Sequence, residues 1–390
     1  MSDPKPHVTG LKERLYKRAK PLIVALWLSL LFFPFKGLKA ALTLFVVFSL
    51  ILISSKYLFG FWKISIEWFN ALREKMGAPG LFSGRIPIIV RQILLLFILG
   101  LPFLFGDYFI DVAVLVGIYI ILALGLNVVV GFAGLLNLGF VAFYAIGAYT
   151  YALLNTKAGI SFWPALPFSV GLATVAGFLL AVPALRLKGD YLAIVTLGFG
   201  EITRLILNNW DSMTRGPNGI SGIAPPVIMS LSFGKLSHYY YLVLVFVILS
   251  LFINKRVYLS RIGRAWVAIR EDEIAASVMG INTTMYKLYA FAFGAFWAGL
   301  AGALFAGKMQ FVSPESFTFM ESVLILCMVI LGGLGSIAGV ILGAFILVLL
   351  PEILREVQLY RMLALGAGLV LLMIFRPQGL FGGKGVSLRS

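Results

Sequence analysis

Long apolar runs, separated by short polar or basic stretches, set the pattern of this chain. Four of them, Ile88 to Phe105, Val112 to Val130, Phe162 to Ala184 and Met285 to Ala306, reach or approach the roughly 20 residues that a helix needs to cross ~30 Å of hydrocarbon. A helix satisfies its own backbone groups within one segment, and none of these runs alternates as a barrel strand does, so the runs predict membrane helices. Taken along the whole chain, hydropathy predicts spans near residues 22–35, 40–61, 88–105, 110–130, 136–154, 162–184, 191–207, 239–253, 285–307, 317–331, 336–350 and 360–375. The first, tenth and eleventh are short enough to be tilted, re-entrant or half-helices. The expected fold class is all-α, a polytopic transmembrane helical bundle with about ten or more spans, some short or broken.

Composition sharpens this reading. The 390 residues are 61% hydrophobic and 12% charged, with a mean hydropathy of +0.99, which excludes an ordinary soluble domain. The net charge of +16 comes from 32 Lys and Arg spread between apolar runs; no single basic face with interleaved aromatics suggests nucleic acid. Positive-inside counting explains the charge. With the N-terminus cytoplasmic, inside segments hold 22 Lys and Arg against 8 outside, so both termini are expected in the cytoplasm. The polar, basic N-terminus runs to Lys20 and leads into an apolar run with Pro21 and Pro34 and no small-residue cleavage site, so that run is read as a retained first span. The single Cys327 lies in an apolar run and offers neither a disulfide framework nor zinc-ligand spacing.

The largest internal cytoplasmic stretch, Asn254 to Lys287, carries the most specific signal. Val267, Ile274, Val278 and Ile281 recur at roughly helical spacing, while Arg264, Arg270, Glu271, Asp272 and Glu273 fall largely elsewhere and Gly280 with Asn282 supplies a stop. The expectation is one short amphipathic helix. Trp266 and the basic residues would suit a lipid interface, but anionic headgroups repel three adjacent acids, so the mixed charge points to a protein partner. The run "EDEIAASVMGIN" resembles the cytoplasmic coupling motif of ABC importer permeases, in which two alanines directly follow a Glu and a Gly lies three residues beyond. Ala275, Ala276 and Gly280 match; Ile274 stands at the Glu position, with the acid one residue earlier at Glu273.

Further blocks point the same way: "GLNVVVGFAGLLNLGFVAFYAIGAYTYALL" from Gly125, "LRLKGDYLAIVTLGFGEITRLILNN" from Leu185, "GPNGI" from Gly216, "VSPESFTFMES" from Val312, "VILGGLGSIAG" from Val329 and "FRPQGL" from Phe375. In order and spacing the chain resembles the M-type, LivM-like permeases of high-affinity branched-chain amino acid transporters, over about Ile88 to Phe381. The resemblance implies a permease domain over 88–382 with the coupling segment 254–287, preceded by residues 1–87, a cytoplasmic N-terminus with a less distinctive helical pair, and followed by a cytoplasmic tail, 383–390. It also implies a multi-pass protein of the bacterial inner membrane, a second and related permease subunit in a heterodimer, two cytoplasmic ATPase subunits and an extracytoplasmic amino-acid-binding protein. No cofactor is expected on this chain, because ATP is used by the partner subunits. Importers of urea, amides or another small solute have related permeases, and that substrate alternative stays open.

Two glycine-hinged pairs of short apolar stretches, Val128 to Tyr149 and Val329 to Leu347, echo each other. Their Gly131, Gly134, Gly139, Gly332, Gly333 and Gly335, with Asn127 and Asn137, are candidates to line a pathway near the membrane middle; equally, glycine lets helices approach closely in lipid. Glu201 and Arg204, three residues apart, either pair with each other or line the pathway. Glu321, close to the outer boundary, is read as solvated. The chain has no Walker lysine motif, HExxH or GxSxG, and only His7 and His238 as histidines, so the expectation is a transport subunit and not an enzyme. An ion-coupled secondary transporter would also have broken helices but needs no mixed-charge cytoplasmic helix.

Overall fold

The computed structural model describes residues 99–102, 106–184, 187, 189–228, 231–353, 366, 370, 379 and 380, within the compact unit Ile98–Ser390. The expected spans 22–35 and 40–61, most of 88–105 and 360–375, the N-terminal residues 1–87 and the tail 383–390 lie outside the described residues.

The described chain is built from helices, as its apolar runs require in a solvent that offers the backbone no partners. α1 (Asp107–Leu126) widens into a π-helical turn, Asn127–Phe132; α2 is Val141–Ala158, α3 Phe162–Ala184 and α4 Asp190–Asn209. The short α5 (Asp211–Thr214) leads into β1 (Ile220–Ser221) and the hairpin of β2 (Val227–Ile228) and β3 (Leu231–Ser232). Then come α6 (Leu236–Leu259), α7 (Arg261–Glu271), α8 (Glu273–Val278), α9 (Thr283–Met309), β4 (Phe311–Val312), α10 (Phe319–Gly332) and α11 (Ile337–Ile353).

Five of the described helical segments are long and apolar enough to cross a membrane: Asp107–Phe132, Phe162–Pro183, Leu236–Leu259, Thr283–Met309 and Pro314–Gly332. Their outer faces match that solvent. α3 exposes Phe168, Leu172, Val175, Leu179 and Val182 along one helical stripe, and α6 exposes Val245, Ile248, Leu249 and Phe252, apolar patches that water would not tolerate on a monomer. The predicted span 136–154 begins later, at Val141, because residues 133–140 are unwound.

α9 is the central helix, packed against α1, α2 and α3. Lipid is as apolar as leucine, so helices associate in it through close packing, and α9 carries the small residues that allow it. A Cβ on Gly302 would stand 2.6 Å from Ala148 N, one on Gly294 3.1 Å from Gly125 O, and one on Gly147 of α2 would stand 2.8 Å from Gly299 C.

The bundle has two distinct ends. At one, α9 begins beside α7 and α8. At the other, β1 pairs antiparallel with β4, Ile220 opposite Val312 and Ser221 opposite Phe311, and Lys308 Nζ lies 3.0 Å from an Asp111 carboxylate oxygen. Tyr151 donates to Ala224 O at 2.5 Å and Ala224 N donates to Asn155 Oδ1 at 2.7 Å, which ties the long loop after α4 to the β1–β4 end.

Gly147→Val places a branched side chain where backbone already stands, and overpacking of this kind costs about 1–3 kcal/mol or more. The expected outcome is a sharp loss of monodisperse protein in size-exclusion chromatography. Gly171→Val on α3, where nothing lies within 4 Å of the added Cβ, is expected to keep normal yield.

Candidate coupling segment and glycine hinges

The stretch expected to form one amphipathic helix forms two. Asp272 adopts an extended backbone (φ −156°, ψ 109°) and caps α8, its side chain accepting from Ile274 N at 2.9 Å and Ala275 N at 3.0 Å. An Asp free to satisfy the first N–H groups of a new helix competes with continuation of the old one. α7 is itself capped by Ser260, which accepts from Ile262 N and Gly263 N. α8 ends in a Schellman arrangement: Ile281 N donates to Ala276 O, Gly280 N donates to Ser277 O, and Gly280 takes φ +83°, a conformation that favours glycine.

Two of the three acids are thus used inside the chain. Asp272 is a cap, and Glu273 accepts from Lys287 Nζ at 2.6 Å, with the lysine side chain only 5% exposed. Glu271 is exposed, as are Arg264, Arg270 and Ala275, while Ala276 is buried. Trp266 does not face lipid: it is buried, donates from Nε1 to Tyr286 O at 2.7 Å and packs beside Phe293. The outer surface of α8 is instead apolar, with Ile274, Val278 and Met279 exposed at 71%, 80% and 81%.

The two glycine hinges come together in space, beside α7. After the π turn, Ala133 N donates to Val128 O and Leu135 N to Val129 O, so Gly131 O lacks the helical donor that a continuing α1 would supply. Arg270 supplies one, its Nη1 donating to Gly131 O at 2.5 Å. Asn127 Oδ1 accepts from Gly335 N at 2.9 Å. Gly131 has no room for a side chain, since a Cβ would lie 2.6 Å from Gly335 N. Gly134 (φ +70°), Gly333 (φ +108°) and Gly335 (φ +83°) take left-handed conformations, which glycine adopts without strain. Gly332 and Gly339 approach backbone to backbone across the turn, and Leu380 joins in, its N donating to Leu331 O at 2.8 Å.

These are the two segments expected to line a pathway near the membrane middle. The helical segment Asp107–Phe132 is 26 residues long, about 39 Å at 1.5 Å per residue, and so reaches the α7 end of the bundle before it breaks. The unwound stretch after it turns inward. Leu138 N donates to Thr196 Oγ1 at 3.0 Å, Gly139 N to Asn137 Oδ1 at 3.0 Å and Val141 N to Ser322 Oγ at 3.0 Å. Gly139 packs so closely on α4 that a Cβ on Gly200 would stand 3.2 Å from its Cα. Asn137 is fully buried, and its Nδ2 has no hydrogen-bond partner among the described residues.

Glu201 and Arg204 do pair, Nε donating to Oε2 at 3.0 Å, with side chains 34% and 27% exposed. Glu321 is engaged within the bundle, accepting from Tyr119 OH at 2.8 Å. Sequence reasoning missed Thr196, Ser322, Lys287 and the Asp111–Lys308 pair. The last had a readable signal, an acid and a base each within a turn of a span end. Among the described residues no group of three or more His, Cys, Asp or Glu is placed to hold a metal.

Residues 108–375 match the family model described as "Branched-chain amino acid transport system / permease component". The high-affinity branched-chain amino acid transport system permease protein LivM of Escherichia coli (strain K12) is 50% identical, the alignment covering 74% of this chain and 73% of that protein. LivM of Salmonella typhimurium is 49% identical over the same shares. The permease protein LivH of Salmonella typhimurium is 28% identical over 68% of this chain and 91% of its own length. No solved structure matches the chain.

Lys287→Met removes the ammonium that holds Glu273 and so loosens α8 on α9. The partly exposed pair contributes about 1 kcal/mol, or roughly fivefold in local opening. Hydrogen exchange of residues 273–281 is expected to accelerate by that factor, with exchange in α2 and α3 unchanged.

Proposed function

We propose a transport mechanism from one premise: the chain belongs to the branched-chain amino acid transport permease family. It is a membrane permease subunit of an ABC importer for branched-chain amino acids, and the observation that carries this is half-identity to a LivM permease across 74% of the chain. Permease relatives of both the LivM and the LivH kind support a pair of related permeases in one transporter, with this chain as the LivM-like member.

In the full reading, the chain spans the inner membrane about ten or more times with both termini in the cytoplasm. Two ATPase subunits dock at the α7–α8 end, and a binding protein delivers leucine, isoleucine or valine at the β1–β4 end. The exposed Ile274, Val278 and Met279, on a segment that also exposes Glu271 and Arg264, supply the apolar surface and nearby charge that suit a protein interface. The chain supplies no chemical step; it offers a two-state pathway that nucleotide-driven closure of the ATPases biases through their differential contacts with α8.

In this reading the second permease packs against α4. An ion pair facing hydrocarbon is expensive, yet Glu201 and Arg204 are part-exposed on a face that also carries Ile202 and Leu205. A partner subunit or the water-filled route between the two subunits gives that pair the polar surroundings it requires. The buried start of α2 at Val141, with its partial positive charge, and the amide of Asn137 lie inward of this face and give weak recognition of a substrate carboxylate without a fixed charge.

Gly280→Trp strains the left-handed turn and, with nothing of its own chain within 4 Å of the added Cβ, also directs the bulk at the docked partner. Reconstituted complex is expected to insert normally but to lose leucine uptake while hydrolysing ATP; normal uptake would count against docking at α8. Asn218→Cys, on the exposed loop before β1, is expected to react with an impermeant thiol reagent added from outside intact cells. Labelling only after the membrane is opened would reverse the orientation.

A further inference from the structure

We propose that Arg270 is the residue through which movement of α7 and α8 reaches the broken transmembrane helices. This rests on the reading of α7–α8 as the ATPase-docking segment, and it adds what that segment grips inside its own chain.

The geometry is specific. Arg270 Nη1 donates at 2.5 Å to Gly131 O, the carbonyl left open by the π turn. Its Cγ would lie 2.9 Å from a Cβ on Gly134, and Nη1 would lie 3.2 Å from a Cβ on Gly335. One side chain of the coupling segment therefore crosses both hinges, the one that ends α1 and the one that joins α10 to α11. Asn127 closes the clasp from the π turn through its 2.9 Å acceptance from Gly335 N, so a hydrogen bond joins the two hinges directly.

Each component has the chemistry that transmission requires. A guanidinium donates along fixed directions and holds its charge at any physiological pH, so a shift of α7 is felt as a directed pull on Gly131 O and not as a diffuse field. The groups it pulls on belong to backbone in left-handed or π geometry, where φ and ψ have other wells near by. Trp266 and Lys287 tie α7 and α8 to α9, but α9 is an unbroken helix from Thr283 to Met309 and can only carry the segment as a rigid body. Arg270 makes the hydrogen bond that runs from the segment to bendable backbone. It is a positioning residue: it touches no substrate.

The test uses the full complex in proteoliposomes with the ATPases and the binding protein, and reads leucine transported per ATP hydrolysed. In R270M the ratio is expected to fall about tenfold, the size of losing one hydrogen bond to a charged group. R270K, which keeps the charge and a donor but not the fork, is expected to restore some of it. N127A opens the clasp away from the docking surface and is expected to lower the ratio as well. An unchanged ratio in R270M and N127A overturns the proposal. A fall in R270M with N127A at the wild-type ratio also overturns it and makes Arg270 a docking contact only. Transport and hydrolysis that decline together with complex yield, at constant ratio, assign a merely structural role. If wild-type complex carries no leucine, the functional reading itself fails, and that outcome is seen before any variant is compared.

Discussion

Backbone polar groups that leave a helix inside or beside hydrocarbon must find partners within the protein, and this constraint organises the described structure. An unbroken helix meets it trivially. The two broken ones meet it with side chains brought from elsewhere: Asn127 for Gly335 N, Arg270 for Gly131 O, Thr196 for Leu138 N and Ser322 for Val141 N. Each of these donors or acceptors stands on a different element from the group it satisfies, with the π turn, α7, α4 and α10 all contributing. The breaks are therefore the places where the fold is knitted together, even though in isolation they are its weakest segments.

Glycine answers the same constraint from the other side. Where α9 meets α1 and α2, backbones approach until no Cβ fits, and contact replaces the hydrophobic drive that lipid does not supply. At the hinges, glycine also provides left-handed conformations that let the chain reverse within a few residues. The two uses meet at Gly134 and Gly335, which take positive φ and would place a Cβ 2.9 Å from Arg270 Cγ and 3.2 Å from Arg270 Nη1. Glycine-hinged runs in the sequence therefore mark both turning points and points of assembly, and here one residue serves both demands.

Much of the helical layout was legible because apolar length is a strong signal: the predicted 162–184 is observed as Phe162–Ala184 and 285–307 as Thr283–Met309. The cap at Asp272 was harder to see. Ile274 and Val278 keep the helical spacing begun by Val267, so periodicity alone runs straight through the break, and only the capping ability of Asp argues against it. The full reach of α1 was illegible for a related reason. A π turn adds residues without changing composition, so α1 reaches further than its apolar core suggests before Gly134 reverses it. The partner of each freed backbone group was beyond reach, because Asn127 and Gly335 lie 208 residues apart and no local rule joins them.

The ties of the α7–α8 segment also decide how it can move. Among the described residues, three polar ties fasten it inward, through Trp266 to Tyr286 O, through Glu273 to Lys287 and through Arg270 to Gly131 O. Its outward surface, Ile274, Val278 and Met279, touches little of the chain itself. A body held firmly on one face and bare on the other cannot absorb a push by local repacking, because interiors at close-packed density deform little. Displacement applied at α8 must therefore pass into the elements to which it is fastened. Two of the three ties lead to the rigid α9, which packs by glycine against α1 and α2 and resists sliding. The third leads to the hinges, where backbone conformations can change without breaking a helix. Compliance at that one point, set against stiffness at the other two, gives a surface contact on α8 a preferred outlet in the broken helices.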